Sequence, residues 1–358
     1  MFYKIKALNE KGIKIYLHCF EYGRAHSKEL EKLCEKVFYY PRKTGLLNNL
    51  SPLPYTVKSR ISDELVKNLL GNNFPILFEV LHTCYLLKDE RFKNRFKIYR
   101  HSNIEHDYYR HLAVAENNIL KKIYLNKEAD RLERFEPIIS NADLILAVST
   151  KDLGYFKKNY PNVKSVYLPS FHPNNKINIK EGKGDYILYH GNLSISENYE
   201  AAFWLIKNVF SKINYPVKIA GLNPPETLKT EIDNPDSNRG KHIELIANPN
   251  DEQMNSLIDN AQIHTLYTEQ ATGLKLKLLN VLFKGRFVLC NDKMLAGTGL
   301  NANESLFICN SPNEFIKTIE LHFNLKFEKT LSTIREKQLE NFSNGKNVER
   351  LIGFLEHY

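Results

Sequence analysis

Two short segments of this 358-residue chain combine residue types suited to holding phosphate groups. In the first, Thr268-Glu-Gln-Ala-Thr-Gly273 leads into a predicted helix over Leu274–Lys284, closed by Gly285. Lys275 and Lys277 fall in its first turn, where the helix dipole disfavours cations. An anion shared by the free N–H groups and both lysines would relieve that cost, and a diphosphate fits the description. Solvated lysines are the alternative, because an exposed dipole penalty is only ~0.3–1 kcal/mol. In the second segment, His190-Gly-Asn-Leu-Ser-Ile-Ser-Glu-Asn198 follows a predicted strand and opens a helix carrying the only tryptophan, Trp204. Gly191 would let another group approach the backbone, and a helix start attracts anions. An ordinary strand-to-helix turn capped by Ser194 or Ser196 is the competing reading. A third segment, His101-Ser-Asn-Ile-Glu-His-Asp-Tyr-Tyr109, follows a strand ending at Arg100 and sets His101 at a strand's carboxyl end, facing an expected cleft, beside Arg100, Asn103 and Glu105. His18 and His82 also lie near strand ends and read as packing residues. The chain has no H-E-x-x-H, P-loop or G-x-S-x-G motif, which argues against a zincin, a P-loop NTPase and an α/β-hydrolase.

These segments need elements to hold them. Short β-branched or aromatic runs recur at 13–20, 37–40, 75–80, 97–100, 144–149 and 165–168, then at 186–189, 217–220, 243–245, 263–267, 287–290 and 306–309. Amphipathic stretches separate them, including 27–36, 63–70 and 108–135 in the first half and 197–210, 251–260, 274–284 and 312–323 in the second. Such alternation implies parallel sheets covered by helices. The pattern occurs twice, and the Pro/Asn-rich stretch around 169–176 divides the two occurrences. Two doubly wound domains predict a ligand beyond the carboxyl ends of the strands, in a cleft between them.

Composition narrows the classes further. The chain is 42% hydrophobic and 25% charged, which excludes wholesale disorder and collagen-like structure. No apolar run is long enough for a membrane span, and no signal-peptide pattern opens the chain. Five scattered cysteines without a C-x-x-C point to reduced thiols in a cytoplasmic protein and away from structural zinc. The net charge of +9 is one-sided: residues 1–170 carry 29 Lys+Arg against 19 Asp+Glu, and the remainder is near neutral. A basic half suggests polyanionic partners. Its densest stretch, Arg91, Lys93, Arg95, Lys97 and Arg100 among Phe92, Phe96, Ile98 and Tyr99, reads as a solvated loop or a headgroup-level membrane contact. No nucleic-acid-binding motif accompanies the charge, so no nucleic-acid partner is expected.

The residues of both halves resemble the family-4-type glycosyltransferases of bacterial surface-glycan synthesis. The matching pieces are 189–198, 217–225 and 272–291 in the second half, and 6–24 and 100–109 in the first. The resemblance implies an α/β GT-B fold, two doubly wound Rossmann-like domains facing each other across a cleft. Its expected boundaries are an acceptor-binding domain at 1–170, a linker at 171–176, a nucleotide-sugar-binding domain at 177–340 and a terminal helix at 341–358 crossing back. It further implies transfer of a hexose, mannosyl or glucosyl in type, from a nucleotide-sugar to a glycan or lipid-linked acceptor. Retention at the anomeric carbon is expected, with no metal and no cofactor beyond the donor itself. By the same resemblance His101 is the catalytic-site residue, and Gly191, Asn192, Thr272, Gly273, Leu274, Lys275, Lys277 and Asn280 bind the donor. Arg100, Asn103 and Glu105 line the acceptor side. The protein would be cytoplasmic, and peripheral on the inner face of the membrane through its basic half.

Departures from the family pattern accompany the likeness. Two glutamates that many members carry eight residues apart are here Thr272 and Asn280, and a family Arg/Lys pair is here Asn192 and Glu197. The chain also opens inside an amphipathic helix, so the expected first strand and its Gly-rich loop are missing from the sheet, as in a truncated start. A non-catalytic GT-B scaffold and a nucleotide-sugar epimerase on the same fold are therefore the alternative readings.

Overall fold

The computed structural model describes residues 1–23, 25–45, 48, 51–116, 118–234, 236, 242–269 and 273–356. By contacts the chain forms two units, one of Met1–Phe171 with Thr272–Leu274 and Phe342–Tyr358, the other of His172–Ala271 with Lys275–Asn341.

Among the described residues of the first unit, six strands are arranged in two parallel sheets. β1 (Tyr16–Phe20) pairs with β2 (Lys36–Tyr40), while β3 (Ile76–Glu79), β4 (Lys97–Arg100), β5 (Leu144–Ala147) and β6 (Lys164–Tyr167) form a second sheet in that order. β4 and β5 are buried throughout, and alternate side chains go to opposite faces, as the pleat requires. Ile98, Leu144 and Leu146 enter a core with Ala7, Leu8, Val348 and Leu351, supplied by the helices Phe2–Glu10 and Asn344–Glu356. Tyr99, Ile145 and Ala147 enter the opposite core with Phe78, Leu132 and Phe156. Lys11 pairs with Glu349 at 2.7 Å, and Arg350 donates to the Tyr167 carbonyl at 2.7 Å, so the terminal helix is tied to this unit by polar contacts as well.

The amphipathic stretch 108–135 is two helices, Glu105–Ala115 and Ile119–Phe135. Asn118 causes the break. Its side chain accepts the Lys121 N–H at 3.0 Å and so starts the second helix, a role Asn fills better than the helix interior.

The dense basic stretch is not a solvated loop. Arg95 donates to the carbonyls of Leu69 and Phe74, satisfying the end of the helix Asp63–Leu69. Lys97 donates to the Leu87 carbonyl at 2.9 Å, and Arg100 lies 3.7 Å from Glu79. All three are buried; Arg91 is held by Asp89, and Lys93 is exposed. Carbonyl groups left over at helix and strand ends, together with Glu79, absorb the charge of these three, and only Arg91 and Lys93 of the five present theirs at the surface.

The second unit holds one six-stranded parallel sheet: β7 (Tyr186–Asn192), β8 (Val217–Leu222), β9 (Ile243–Ala247), β10 (Ala261–Leu266), β11 (Phe287–Cys290) and β12 (Leu306–Ile308). Their spatial order is β12-β11-β10-β7-β8-β9, a doubly wound sheet whose direction of winding reverses between β7 and β10. Two of its helices start on capping boxes, Asn250 with Gln253 and Ser311 with Glu314. A fully buried Arg335 ties the far side together, donating to the carbonyls of Leu282, Arg286 and Ser305 and to the Ser305 hydroxyl.

Candidate functional site

The reversal point between β7 and β10 is where a doubly wound sheet opens beyond its strand ends. β7 is longer than its apolar run, so Gly191 and Asn192 lie within the strand rather than after it. Gly191 sits in register with Gly221 of β8, and a Cβ at Gly221 would meet the Gly191 carbonyl oxygen. Two glycines therefore permit this end of the sheet to close tightly.

The helix Ser196–Asn208 follows, with Ile195 as its first cap residue and no side-chain cap. The expected caps Ser194 and Ser196 do not act: the Ser194 N–H and hydroxyl both donate to Asn192 Oδ1, at 3.1 and 2.7 Å. Asn198 organises the turn. It donates to the Asn192 carbonyl at 2.9 Å, its own carbonyl accepts the Tyr189 hydroxyl at 2.7 Å, and its Oδ1 accepts Lys277 Nζ at 2.9 Å.

Glu197 lies in the first turn of the same helix, where the dipole favours a carboxylate. It accepts Lys275 Nζ at 2.7 Å and the Thr268 hydroxyl at 2.5 Å. Burial pushes its carboxyl up, but the combined pull of Lys275, Thr268 and Lys277 outweighs this and holds it below the usual range. Thr268 is the second residue after β10, and its backbone is clamped by Asn291, which donates to its carbonyl at 2.7 Å. Lys277 is half-buried over the Tyr189 ring, 5.3 Å from its centroid. Burial lowers its ammonium to about 8, with repulsion from Lys275 adding to the effect and Glu197 opposing it. Two cations, a hydroxyl and one carboxylate thus converge at the reversal point.

The helix carrying Lys277 runs over Leu276–Lys284, two residues shorter than expected. Lys275 is its N-cap residue and Lys277 its second helical residue, so only Lys277 stands in the first turn. Lys275 reaches outward to Glu197, which removes the dipole penalty attributed to it from sequence. Gly273 has φ +61°, a left-handed conformation suited to glycine, and Leu274 follows it partly buried. Thr272 lies outside the described residues. Asn280 Oδ1 accepts the Asn174 side-chain amide at 3.0 Å and is thereby engaged with the segment following Phe171.

In the first unit, His101 follows β4 and is fully buried. Its ring packs on Phe156, 4.8 Å between centroids, and its Nε2 stands 3.3 Å from Asp152 Oδ2 without the alignment of a hydrogen bond. Asp152 is fixed by Ser149, whose hydroxyl donates to it at 2.7 Å and caps the helix Thr150–Asn159. Burial, helped by the Arg100 charge, lowers the His101 imidazole to about 3, so the ring is neutral near pH 7. Arg100 goes to the opposite face of the sheet, as the alternation along β4 demands, and reaches the Pro169 carbonyl at 3.4 Å. Asn103 is partly exposed, and Glu105 is buried 3.3 Å from His82 Nε2. The structure thus gathers His101 with Asp152, and Glu105 with His82, while Arg100 is turned away from both.

Sequence reading missed Glu197, Asn198 and Thr268 as partners of the lysines. Thr268 carried the one available signal, its place just past a strand beside the reversal point. Among the described residues, no group of three His, Cys, Asp or Glu side chains is placed to hold a metal ion. A cavity of about 430 Å³ in the first unit, lined by Pro54, Tyr85, Lys88, Arg131, Arg134 and Phe135 among others, includes none of the sequence-predicted site residues.

This architecture defines the class: the chain has the GT-B fold of glycosyltransferases. It superposes on a sucrose-phosphate synthase from Thermosynechococcus elongatus with a TM-score of 0.67 at 12% identity, covering 99% of this chain and 91% of that one. It superposes likewise on the Anabaena protein HepE, solved in complex with UDP and glucose, with a TM-score of 0.63 at 11% identity, covering 100% and 95%. In sequence it is similar to an uncharacterized 44.6 kDa protein in the cps region of Klebsiella pneumoniae, 28% identical over 346 residues that span 90% of this chain and 84% of the relative. No protein-family model matches the chain.

Proposed function

We propose that the protein is a glycosyltransferase that moves a hexose from a nucleotide-sugar to a glycan or lipid-linked acceptor in surface-polysaccharide synthesis. The observation that carries this reading is the convergence of Lys275, Lys277 and Thr268 at the reversal point of the second sheet. HepE, solved with UDP and glucose, supports a nucleotide-diphosphate donor, and the cps-region relative supports a capsular or other surface product.

In this reading the donor's diphosphate is held by the two ammonium groups, the Thr268 hydroxyl and the backbone around Gly273 and Leu274. Gly191 and Asn192 sit beside it, and Asn280 serves the nucleoside. As the bond from the anomeric carbon to the phosphate oxygen breaks, negative charge grows on the departing diphosphate, and prepositioned cations stabilise it more than they stabilise the intact donor. An acceptor hydroxyl oxygen forms the new bond to the anomeric carbon, and its proton passes to a phosphate oxygen. Attack on the face the phosphate leaves gives retention, without a metal or further cofactor. The first unit binds the acceptor, with His101 held neutral as a hydrogen-bonding group and Asn103 and Glu105 nearby.

One observation favours a second reading, a GT-B protein that binds without transferring. Glu197 pairs with Lys275, where a diphosphate needs a free cation. Incubation with UDP-, GDP- and ADP-hexoses, scored for nucleotide release and for binding, separates the two. Release of UDP or GDP supports transfer; binding without release supports the second reading; neither binding nor release refutes both.

A further inference from the structure

The helix Ile119–Phe135 has two apolar faces. Leu125, Ala129 and Leu132 are buried on the inner one. The outer face of a surface helix is ordinarily polar. Here its first turns carry Ile119, Leu120 and Ile123, with Tyr124 beside them. Val114, at the end of the preceding helix, lies at the same end of the helical pair. Val114, Ile119 and Leu120 are 77%, 73% and 79% exposed. Single exposed aliphatic residues need no explanation, but a group at one helical tip does.

The charges around that tip have one predominant sign. Lys121, Lys122 and Lys127 are all exposed on the same helix, and the Glu116 carboxylate in the turn is held by Lys121. Branched aliphatic side chains projecting between lysines suit a lipid interface. The apolar groups enter the acyl boundary while the ammonium groups stay at headgroup level. Protein-binding hot spots draw instead on clustered Trp, Tyr and Arg, whereas the exposed apolar residues of this tip are Val, Ile and Leu with Tyr124 at their edge. Among the described residues no helix is long and apolar enough to cross a membrane, so the contact is with a surface.

We propose that the tip formed by Val114, Ile119, Leu120 and Ile123, with Lys122 and Lys127, docks the protein onto an anionic lipid bilayer. This goes beyond the transferase reading and does not depend on it. It also moves the membrane contact away from the Arg91–Arg100 stretch, whose charge is largely spent on internal partners.

Sedimentation with vesicles of phosphatidylcholine, alone or with one-quarter phosphatidylglycerol by design, tests the proposal without any sugar substrate. The wild-type chain should pellet with the anionic vesicles and be released by salt. Ile119→Ser/Leu120→Ser should lower partitioning about tenfold or more, because two exposed apolar groups no longer enter the lipid. Lys122→Gln/Lys127→Gln should lower it by about fivefold per lysine on anionic vesicles and leave neutral vesicles unaffected. Both variants should melt like wild type, since they change exposed side chains. Failure of the wild type to bind, or variants that bind as well as it does, would overturn the proposal. So would a dimer that Ile119→Ser/Leu120→Ser converts to a monomer, which would assign the tip to a second copy of the chain.

Discussion

Replacing Glu197 by glutamine keeps the shape of the side chain and removes its charge. The carboxylate is mostly buried, 2.7 Å from Lys275 Nζ and 2.5 Å from the Thr268 hydroxyl, so in the free protein it fills the anion-binding role at the reversal point. An incoming diphosphate must share these donors with it or displace it. For two unit charges about 5 Å apart at an effective dielectric of about 20 to 40, the repulsion is ~1.5–3 kcal/mol. Glu197→Gln should therefore tighten UDP or GDP binding by about tenfold to a hundredfold. Lys275→Met should weaken it, and in the double variant the gain from Glu197→Gln should shrink, because the lysine it liberates is absent. Titration calorimetry at fixed pH and low salt reads both effects. A second measurement checks the sign independently. The Glu197 carboxyl is held below its unfolded value, so its contribution to stability is present above about 4.5 and is lost as the pH falls through the lowered value. The glutamine variant should lose that part of the acid dependence. Unchanged or weaker nucleotide binding in Glu197→Gln would refute the competition and indicate that the carboxylate holds Lys275 in place for the ligand.

Three further outcomes follow from the same geometry. With its ammonium lowered to about 8, Lys277 loses charge as the pH rises through that value, so nucleotide affinity should fall there; calorimetry of Lys277→Met should give weaker binding without this fall. His101 is lowered to about 3 and stays neutral, so His101→Gln should reduce turnover without moving either limb of the pH–rate profile; an acid limb near 6.5 that vanishes in the variant would contradict the assignment. Arg335→Met removes donors to three carbonyls and a hydroxyl in a fully buried place and should cost ~3–5 kcal/mol in urea unfolding, whereas a loss under 1 kcal/mol would show that water or a rearranged side chain replaces it.

Much of the fold was legible in the sequence, for a local reason. β4 and β11 have the bounds their residues announce because each is buried along its length and flanked by breaks in the apolar run. The capping residues Asn250 and Ser311 likewise place their helix starts. Errors arose where the tertiary setting decides. β1 starts at Tyr16 rather than Ile13, because Ile13 donates its N–H to the Leu8 carbonyl and closes the first helix, while Ile13 and Ile15 pack into the core below. Asn118, which follows Glu116 and Asn117 inside the expected helical stretch 108–135, instead begins a helix. The division of six strands between two sheets has no local signature, since any of these strands could pair with any other by its own pattern.

The site was legible in its residue types and obscure in its partnerships. Lys275, Lys277 and Gly191 announce themselves by position after a strand, but the carboxylate that engages Lys275 is 78 residues away in the chain. The same limit applies to the positive charge of the first half. Arg95, Lys97 and Arg100 looked like a surface because sequence shows a charge without its acceptor, and the acceptors of Arg95 and Lys97 are backbone carbonyls with no residue type to reveal them. A buried cation bonded to internal carbonyls has fewer donors and less access left for a ligand. What matters for binding is therefore which cations have only mobile or displaceable partners. By that measure the Lys275–Glu197 pair and the exposed lysines beside Ile119 and Leu120 are better placed to meet a ligand than Arg95, Lys97 and Arg100 in the densest basic stretch of the chain.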